Sequence, residues 1–428
     1  MAGRALENRP APLVMTAFAP RANEDPAREA ARLLTRIGVF LLFVVSLLAP
    51  VIAGQTIYIL LPVGAALLLA GAAVAPEQRE KTAPLRGLLM SPPMLAALFL
   101  VGWSALSLSW TPFSPGPAER FWKDAGTLAL VAIACGFLPA KTRICDMNLL
   151  PIGVAAAALG MIAAAGLTLS MRRSPTLEEI VDGDALARSG VGLLLIMWPA
   201  AGALAVRGKW RTAAALLIVS GVAAVSSGAP NVAPPLVAGV LVFLASLGRA
   251  RPTRRWLGVL AGVAVLCAPI AAVLAYLTLA NRAPEVMRPL AVWGRIVAHD
   301  GPRTFIGHGF GSAIYGLFGG YIDPHSPRSL TFQLWFDLGV VGACAFAAAA
   351  YKAFARVGLV RSALAPFLLA GLAAAVVICL TGPAAEQLWA FTLAGLDAIA
   401  YVMVMRGEFR KKRPHLPKWA ADDDEEPA

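Results

Sequence analysis

The amino-acid sequence predicts an all-α, polytopic transmembrane helical bundle of about twelve spans, with both termini cytoplasmic and one large loop on the outer face. Three observations predict it. Hydrophobic residues make up 58% of the 428 and charged residues only 14%, a balance too apolar to clothe a water-soluble surface. The apolar residues fall into runs of roughly 16 to 24, close to the ~20 that carry a helix across a ~30 Å hydrocarbon core. With the N-terminus inside, 27 of the 37 Lys and Arg residues fall on the cytoplasmic side and 10 on the other, as the positive-inside rule requires.

The polar segment 1–36 carries Arg28, Arg32 and Arg36 just ahead of the first apolar run. That run lies too far from the start for a cleavable signal and is expected to stay attached as the insertion signal. Spans are predicted at 37–54, 56–75, 92–110, 125–139, 149–170, 189–206, 212–228, 231–248 and 257–280, forming a block of nine over 37–280. Three more, at 329–350, 362–381 and 383–405, occupy 329–405. The fourth run is short and the eighth opens on Pro234 and Pro235, a pattern that an interfacial or re-entrant segment shares. Stretches such as 149–169 and 257–279 show no apolar/polar alternation, which excludes a membrane β-barrel. The tail 406–428 passes from a basic block (Arg410, Lys411, Lys412, Arg413), suited to anionic headgroups, to an acidic end running from Asp422 to Glu426 that reads as solvated chain.

The net charge of +12 is dispersed among short loops and forms no stripe interleaved with aromatics, so no nucleic-acid partner is expected. Four of the five cysteines (Cys135, Cys267, Cys344, Cys379) fall in predicted spans and Cys145 in a cytoplasmic loop; no disulfide or metal framework follows. No internal repeat or inverted pair of broken helices announces a transporter.

Three outer segments exceed simple turns: 111–124, 171–188 and the longest, 281–328. Long loops on a rigid scaffold are where function concentrates. In the longest, Pro289 suits a helix N1 position, with Leu290, Trp293 and Val297 on one face. A short helix lying on the membrane surface is expected, with Arg295 on its polar side and Trp293 at the headgroup level. The loop also holds His299, His308 and His325 and five arginines, Arg282, Arg288, Arg295, Arg303 and Arg328. A neutral imidazole accepts a proton from a hydroxyl and a guanidinium fork binds phosphate oxygens, so the pairing suits glycosyl or phosphoryl transfer; taken singly, such residues also solvate a loop near lipid phosphates. Gly307-His308-Gly309-Phe310-Gly311 lacks the Lys and Ser or Thr of a P-loop and any strand context. Gly307, Gly309 and Gly311 are read instead as tight backbone turning. The histidine spacings of 9 and 17 match no helical ligand pair, and no zinc site is expected.

The region from Arg288 to Gly342 resembles the signature region of the O-antigen ligase and O-antigen polymerase superfamily. The pieces are Arg288 with Trp293, the Gly-His-Gly-Phe-Gly turn, His325-Ser326, and Gln333-Leu334-Trp335-Phe336-Asp337-Leu338-Gly339-Val340-Val341-Gly342. The likeness covers about 55 residues; elsewhere it is one of architecture, with many spans and a late outer loop. It implies a GT-C-like membrane glycosyltransferase of the bacterial inner membrane that uses a polyprenyl-diphosphate-linked glycan as donor, a glycan or lipid-core hydroxyl as acceptor, and no metal or other cofactor. It implies that His325 is the base and that Arg288 holds the diphosphate. Ser326, Asp337 and Ser227 stand where relatives carry Asn, Glu and Arg. Arg120 and Arg188, beside outer helix ends, are the candidates to replace that missing arginine, and Arg328 is a further candidate for substrate; an isolated arginine at such a place is otherwise a membrane anchor. Ligation and polymerisation remain alternatives on this scaffold.

Two other classes stay open. A transporter or flippase of lipid-linked glycan would use mid-membrane ionisable residues, for which Asp337, Glu386 and Asp397 are the candidates. A non-catalytic partner of polysaccharide-assembly proteins would keep the scaffold without the chemistry.

Overall fold

The computed structural model describes residues 25–52, 56–74, 83–139, 142–170, 177–229, 231–279, 284–301, 303–360, 363–382 and 389–407. Among them there is no β-strand. Helix α1 (Pro26–Phe40) runs through a π-helical stretch, Leu41–Val45, into α2 (Ser46–Ile52). There follow α3 (Ile57–Val74), α4 (Ala83–Leu89), α5 (Pro92–Ser107), α6 (Gly116–Phe137), α7 (Ile144–Met147), α8 (Leu149–Ser170), α9 (Leu177–Ala205), α10 (Trp210–Ser226), α11 (Ala233–Ser246) and α12 (Ala250–Leu279). The large outer loop contributes α13 (Arg288–Asp300), α14 (Arg303–Ile306) and α15 (Ser312–Phe318). The chain then closes with α16 (Leu330–Val357), α17 (Ala365–Thr381) and α18 (Trp389–Met405).

A helix occupies each of the twelve predicted apolar runs, and six helical stretches among the described residues are long and apolar enough to cross a membrane. Five other apolar helices are shorter. One of them is α11, which opens on its two prolines and at 14 residues rises only about 21 Å. The chain is a helical membrane protein, and its surface agrees. Leu159, Leu241 and Leu260 lie more than 60% exposed on separate helices, a distribution that suits lipid and would be penalised in water.

The helices overrun the apolar runs at their polar ends. Helix α6 begins nine residues before the predicted span because its first turns are held by i,i+4 ion pairs, Lys123 Nζ to Glu119 Oε1 at 2.7 Å and Arg120 Nε to Asp124 Oδ2 at 3.6 Å. Helix α1 likewise starts at Pro26, where the Asp25 carboxylate accepts the Ala27 N–H, so part of the segment 1–36 continues the first helix. Glu386, Arg282 and the tail beyond residue 407 lie outside the described residues.

The larger core gathers around α9. Its segment 185–205 is 83% buried, against 28% for the apolar window of α12, so α9 is the axis of the bundle and α12 faces lipid. Small residues permit the approach: a β-carbon on Gly202 would stand 2.7 Å from Leu364. A second core joins α12 (Val265, Ala272), α13 (Trp293), α15 (Ala313) and α16 (Phe332, Leu334, Trp335, Leu338). This smaller core corrects one expectation. Helix α13 is amphipathic as predicted, but Trp293 is 4% exposed and packs edge-on against Phe332 instead of sitting among headgroups. Gly294 decides the placement, since any β-carbon there would overlap the Ala272 carbonyl of α12. The outer loop is therefore mounted on two long helices.

Candidate functional site

The site begins with a break in α16. Gly339 takes φ +63° and ψ −158° inside the helix, conformations that only glycine adopts readily. Carbonyls before such a break lose their partners one turn on, and in an apolar setting each must find another. The glycine turn of the outer loop supplies them: His308 N donates to Phe336 O at 2.8 Å and Gly309 N to Asp337 O at 2.9 Å. Trp103 Nε1 of α5 donates to Leu338 O at 3.1 Å.

The side chain of Asp337 completes the arrangement from the other direction. Only 6% exposed, it accepts Gly311 N at 2.9 Å and Ala313 N at 2.7 Å, satisfying the start of α15. Gly307, Gly309 and Gly311 all have positive φ, as the reading of this turn expected. A residue considered for a transport pathway is thus the peg on which the outer loop hangs.

Above this platform lies a cleft of about 710 Å³, lined on one side by Arg295, His299 and Asp300 of α13 and on the other by Phe113, Tyr321 and Asp323. His308 forms part of the floor. Its ring stacks on Phe336 with centroids 4.0 Å apart, Nδ1 lies 3.1 Å from Phe336 O, and Nε2 lies 3.4 Å from Asp300 Oδ2. His299 is turned to its own helix, with Nδ1 2.7 Å from Arg295 O.

At the cleft's edge stands His325, exposed, with Nδ1 3.0 Å from Asp323 Oδ1. Arg295 Nη2 meets the other oxygen of Asp323 at 2.9 Å. The backbone N–H of His325 also donates to Asp323 Oδ1. That bond foremost, then those from the His325 ring and Arg295, hold the Asp323 carboxyl below its ordinary range despite the opposing effect of burial. An ionised carboxylate only accepts, so Nδ1 carries the proton in this contact, the tautomer that leaves the lone pair on Nε2. Because the folded-state pKa is depressed, the stabilisation is complete above the unfolded value near 4 and is lost only as pH falls through the lower folded value. Hydrogen exchange over 321–328 is expected to stay slow at pH 5 and to accelerate only under strong acid; acceleration already between pH 6 and 5 would contradict this.

The predicted arginines divide. Arg288 is the first residue of α13 and is exposed; Arg295, two turns along the same face, is the one that reaches the His325 cluster. Arg328 is exposed in the segment leading to α16. Arg120, largely buried and paired with Asp124, lies close enough to Asp337 to act on it electrostatically, and the neighbouring Phe121 packs edge-on against Phe310 of the glycine turn. Arg188 is elsewhere, lining a small separate cleft with Ser46, Ser189 and Leu393. Ser227 is near this segment in the fold, its Oγ 2.9 Å from a β-carbon built on Gly190, two residues along α9 from Arg188. Among the described residues no group of three His, Cys, Asp or Glu side chains could hold a metal ion.

Comparison with family models, curated proteins and solved structures returned no match.

Sequence reasoning named His325 but missed Asp323 and Asp300, and placed Arg295 on the polar side of a surface helix and among the five loop arginines without singling it out. One signal was available. In Asp323-Pro324-His325 a carboxylate two residues before a backbone N–H is the pattern of an Asx turn, which places an acid beside the histidine. The Asp300–His308 contact joins the end of α13 to the glycine turn and has no local signature.

Proposed function

We propose that the protein is a multi-pass glycosyltransferase of the bacterial inner membrane, with about twelve spans and both termini cytoplasmic, that transfers a polyprenyl-diphosphate-linked glycan to an acceptor hydroxyl at the periplasmic face. The observation that carries the reading is the Arg295–Asp323–His325 chain at the edge of a cleft built by the outer loop. Asp323 orients the imidazole and stabilises the cation that forms when Nε2 takes a proton, the division of labour that a carboxylate–histidine pair performs in acyl transfer. The acceptor oxygen attacks the anomeric carbon, the bond from that carbon to the phosphate oxygen breaks, the proton passes to His325, and the prenyl diphosphate departs with inversion. Guanidinium groups stabilise the departing charge, a role in which no metal is needed. Arg288, Arg328, Arg120 and Arg188 are the candidates for it. Both ligation to a lipid core and polymerisation onto another lipid-linked repeat fit this chemistry.

The transporter reading is weakened by Asp337, whose carboxylate is committed to two backbone N–H groups and faces no pathway. It rests on Asp397, buried in α18 with Oδ1 unpartnered.

His325→Ala is expected to reduce transfer by about 10²- to 10⁴-fold, the range for loss of a positioned base, with normal protein level in the membrane. Asp323→Asn should give a smaller loss together with an altered pH profile. Surface glycan in cells and transfer from a lipid-linked donor by purified protein are the measurements. Undiminished glycan in the His325→Ala strain would remove the histidine from the mechanism, and lipid-linked glycan accumulating on the inner leaflet would favour transport.

A further inference from the structure

The cleft holds more than a base, and its charge speaks against the donor diphosphate. Among the described residues Arg295 is the one guanidinium that lines it, and that guanidinium is already bonded to Asp323. Asp300 adds a second carboxylate, so the Asp and Arg side chains in the lining sum to one negative charge. A diphosphate here would meet two carboxylates and a guanidinium whose charge is already paired with one of them, and the repulsion between like charges at a few ångströms is strong in a partly desolvated site.

The rest of the lining suits another ligand. Phe113 and Tyr321 meet edge to face at 5.7 Å, Tyr315 backs Phe113 at 6.2 Å, and the Tyr321 ring is 81% exposed at the mouth. A pyranose presents one face of C–H groups made slightly positive by the ring oxygens, which complements the negative face of an aromatic ring. Around its edge it presents hydroxyls, which need carboxylate and imidazole partners such as Asp300 and His308 supply.

We propose that this cleft is the acceptor subsite of the transferase and binds a neutral, hydroxyl-rich sugar ring against the Phe113–Tyr321 wall, with the donor diphosphate held outside it. The proposal rests on the transfer reading above. It makes Asp323 the hinge of the site, one oxygen facing the cleft wall through Arg295 and the other presenting His325 to the sugar hydroxyl. It also names two residues, Phe113 and Tyr321, that set acceptor selectivity without touching the reacting atoms.

The test uses the full chain in nanodiscs and, as probe, neutral oligosaccharides released by mild acid from the surface polysaccharide of cells that carry the gene. Saturation-transfer NMR is expected to detect binding to the unaltered protein. Tyr321→Ala and Phe113→Ala should each weaken it about tenfold, and farnesyl diphosphate should not displace the sugar. Tyr321 is exposed, so its loss leaves the fold intact. Absence of sugar binding, equal binding by Tyr321→Ala, or displacement by farnesyl diphosphate would each overturn the proposal. The two readings fail separately. Tyr321-dependent sugar binding with undiminished glycan in the His325→Ala strain sinks the transfer mechanism and leaves a sugar cleft, whereas lost glycan without sugar binding does the reverse.

Discussion

Gly307→Ala is expected to dismantle the outer site while leaving the bundle inserted. Two costs add at this position. The residue has φ +79°, which an L side chain adopts at a cost of about 1 to 2 kcal/mol. The new methyl would overlap the Asp337 carbonyl and adjoining backbone of α16, atoms that cannot rotate away. Together they place the variant in the tail of mutational effects, about 4 kcal/mol or more, a fall in the thermal midpoint of the detergent-solubilised protein of the order of 10 °C. Gly228→Ala is the control. Its φ is also positive, at +69°, but nothing lies within 4 Å of its β-carbon position, so only the conformational cost of roughly 1 to 2 kcal/mol remains. Equal midpoints for the two variants would mean that the turn does not press on α16 as described.

Asp337→Ala is the second large effect. Removing the carboxylate strands the N–H groups of Gly311 and Ala313 in a buried setting, where the hydrogen bonds at 2.9 and 2.7 Å satisfy them. Each orphaned group costs about 1 to 3 kcal/mol, so the pair is comparable to the Gly307 change, but the consequence is more local. Helix α15 should lose its first turn and the floor of the cleft should loosen, seen as faster hydrogen exchange over 308–318 and a loss of transfer out of proportion to the fall in protein level. Asp337→Asn keeps one acceptor and turns an NH₂ toward the other N–H, so an intermediate effect is expected. A wild-type exchange pattern in Asp337→Ala would show that the cap does not hold the loop.

The membrane scaffold was legible because hydropathy is written into composition over stretches of ~20 residues. The polar turns that open α6 were not, since hydropathy scores Glu119, Arg120, Lys123 and Asp124 as loop; their i,i+4 charges were the signal that separates a polar helix from a polar loop. Within the site, positions defined by neighbours in sequence were readable. The three loop glycines declared a turn, and Asp323 two residues before His325 declared the contact between them. Contacts between distant segments were not readable. Nothing in the order of residues says that Arg295 will reach Asp323 across 28 positions, or that Trp293 will be swallowed by the second core. Asp337 illustrates the boundary: its residue type marked it as out of place in a span, but only the fold reveals that its partners are two backbone amides on the opposite side of a broken helix.

That broken helix also bears on how the protein can be taken apart. The carbonyls of Phe336 and Asp337 accept the amides of His308 and Gly309, and the Asp337 carboxylate accepts those of Gly311 and Ala313, across the junction between loop and span. Excising 284–328 as a soluble fragment would strip those amides of their acceptors and leave the face of Trp293 bare, and grafting the loop onto another carrier would do the same. The outer site is not a detachable module standing on a membrane anchor. Loop and span form one piece, and any surrogate for ligand screening or antibody selection must carry α5, α12 and α16 along with it.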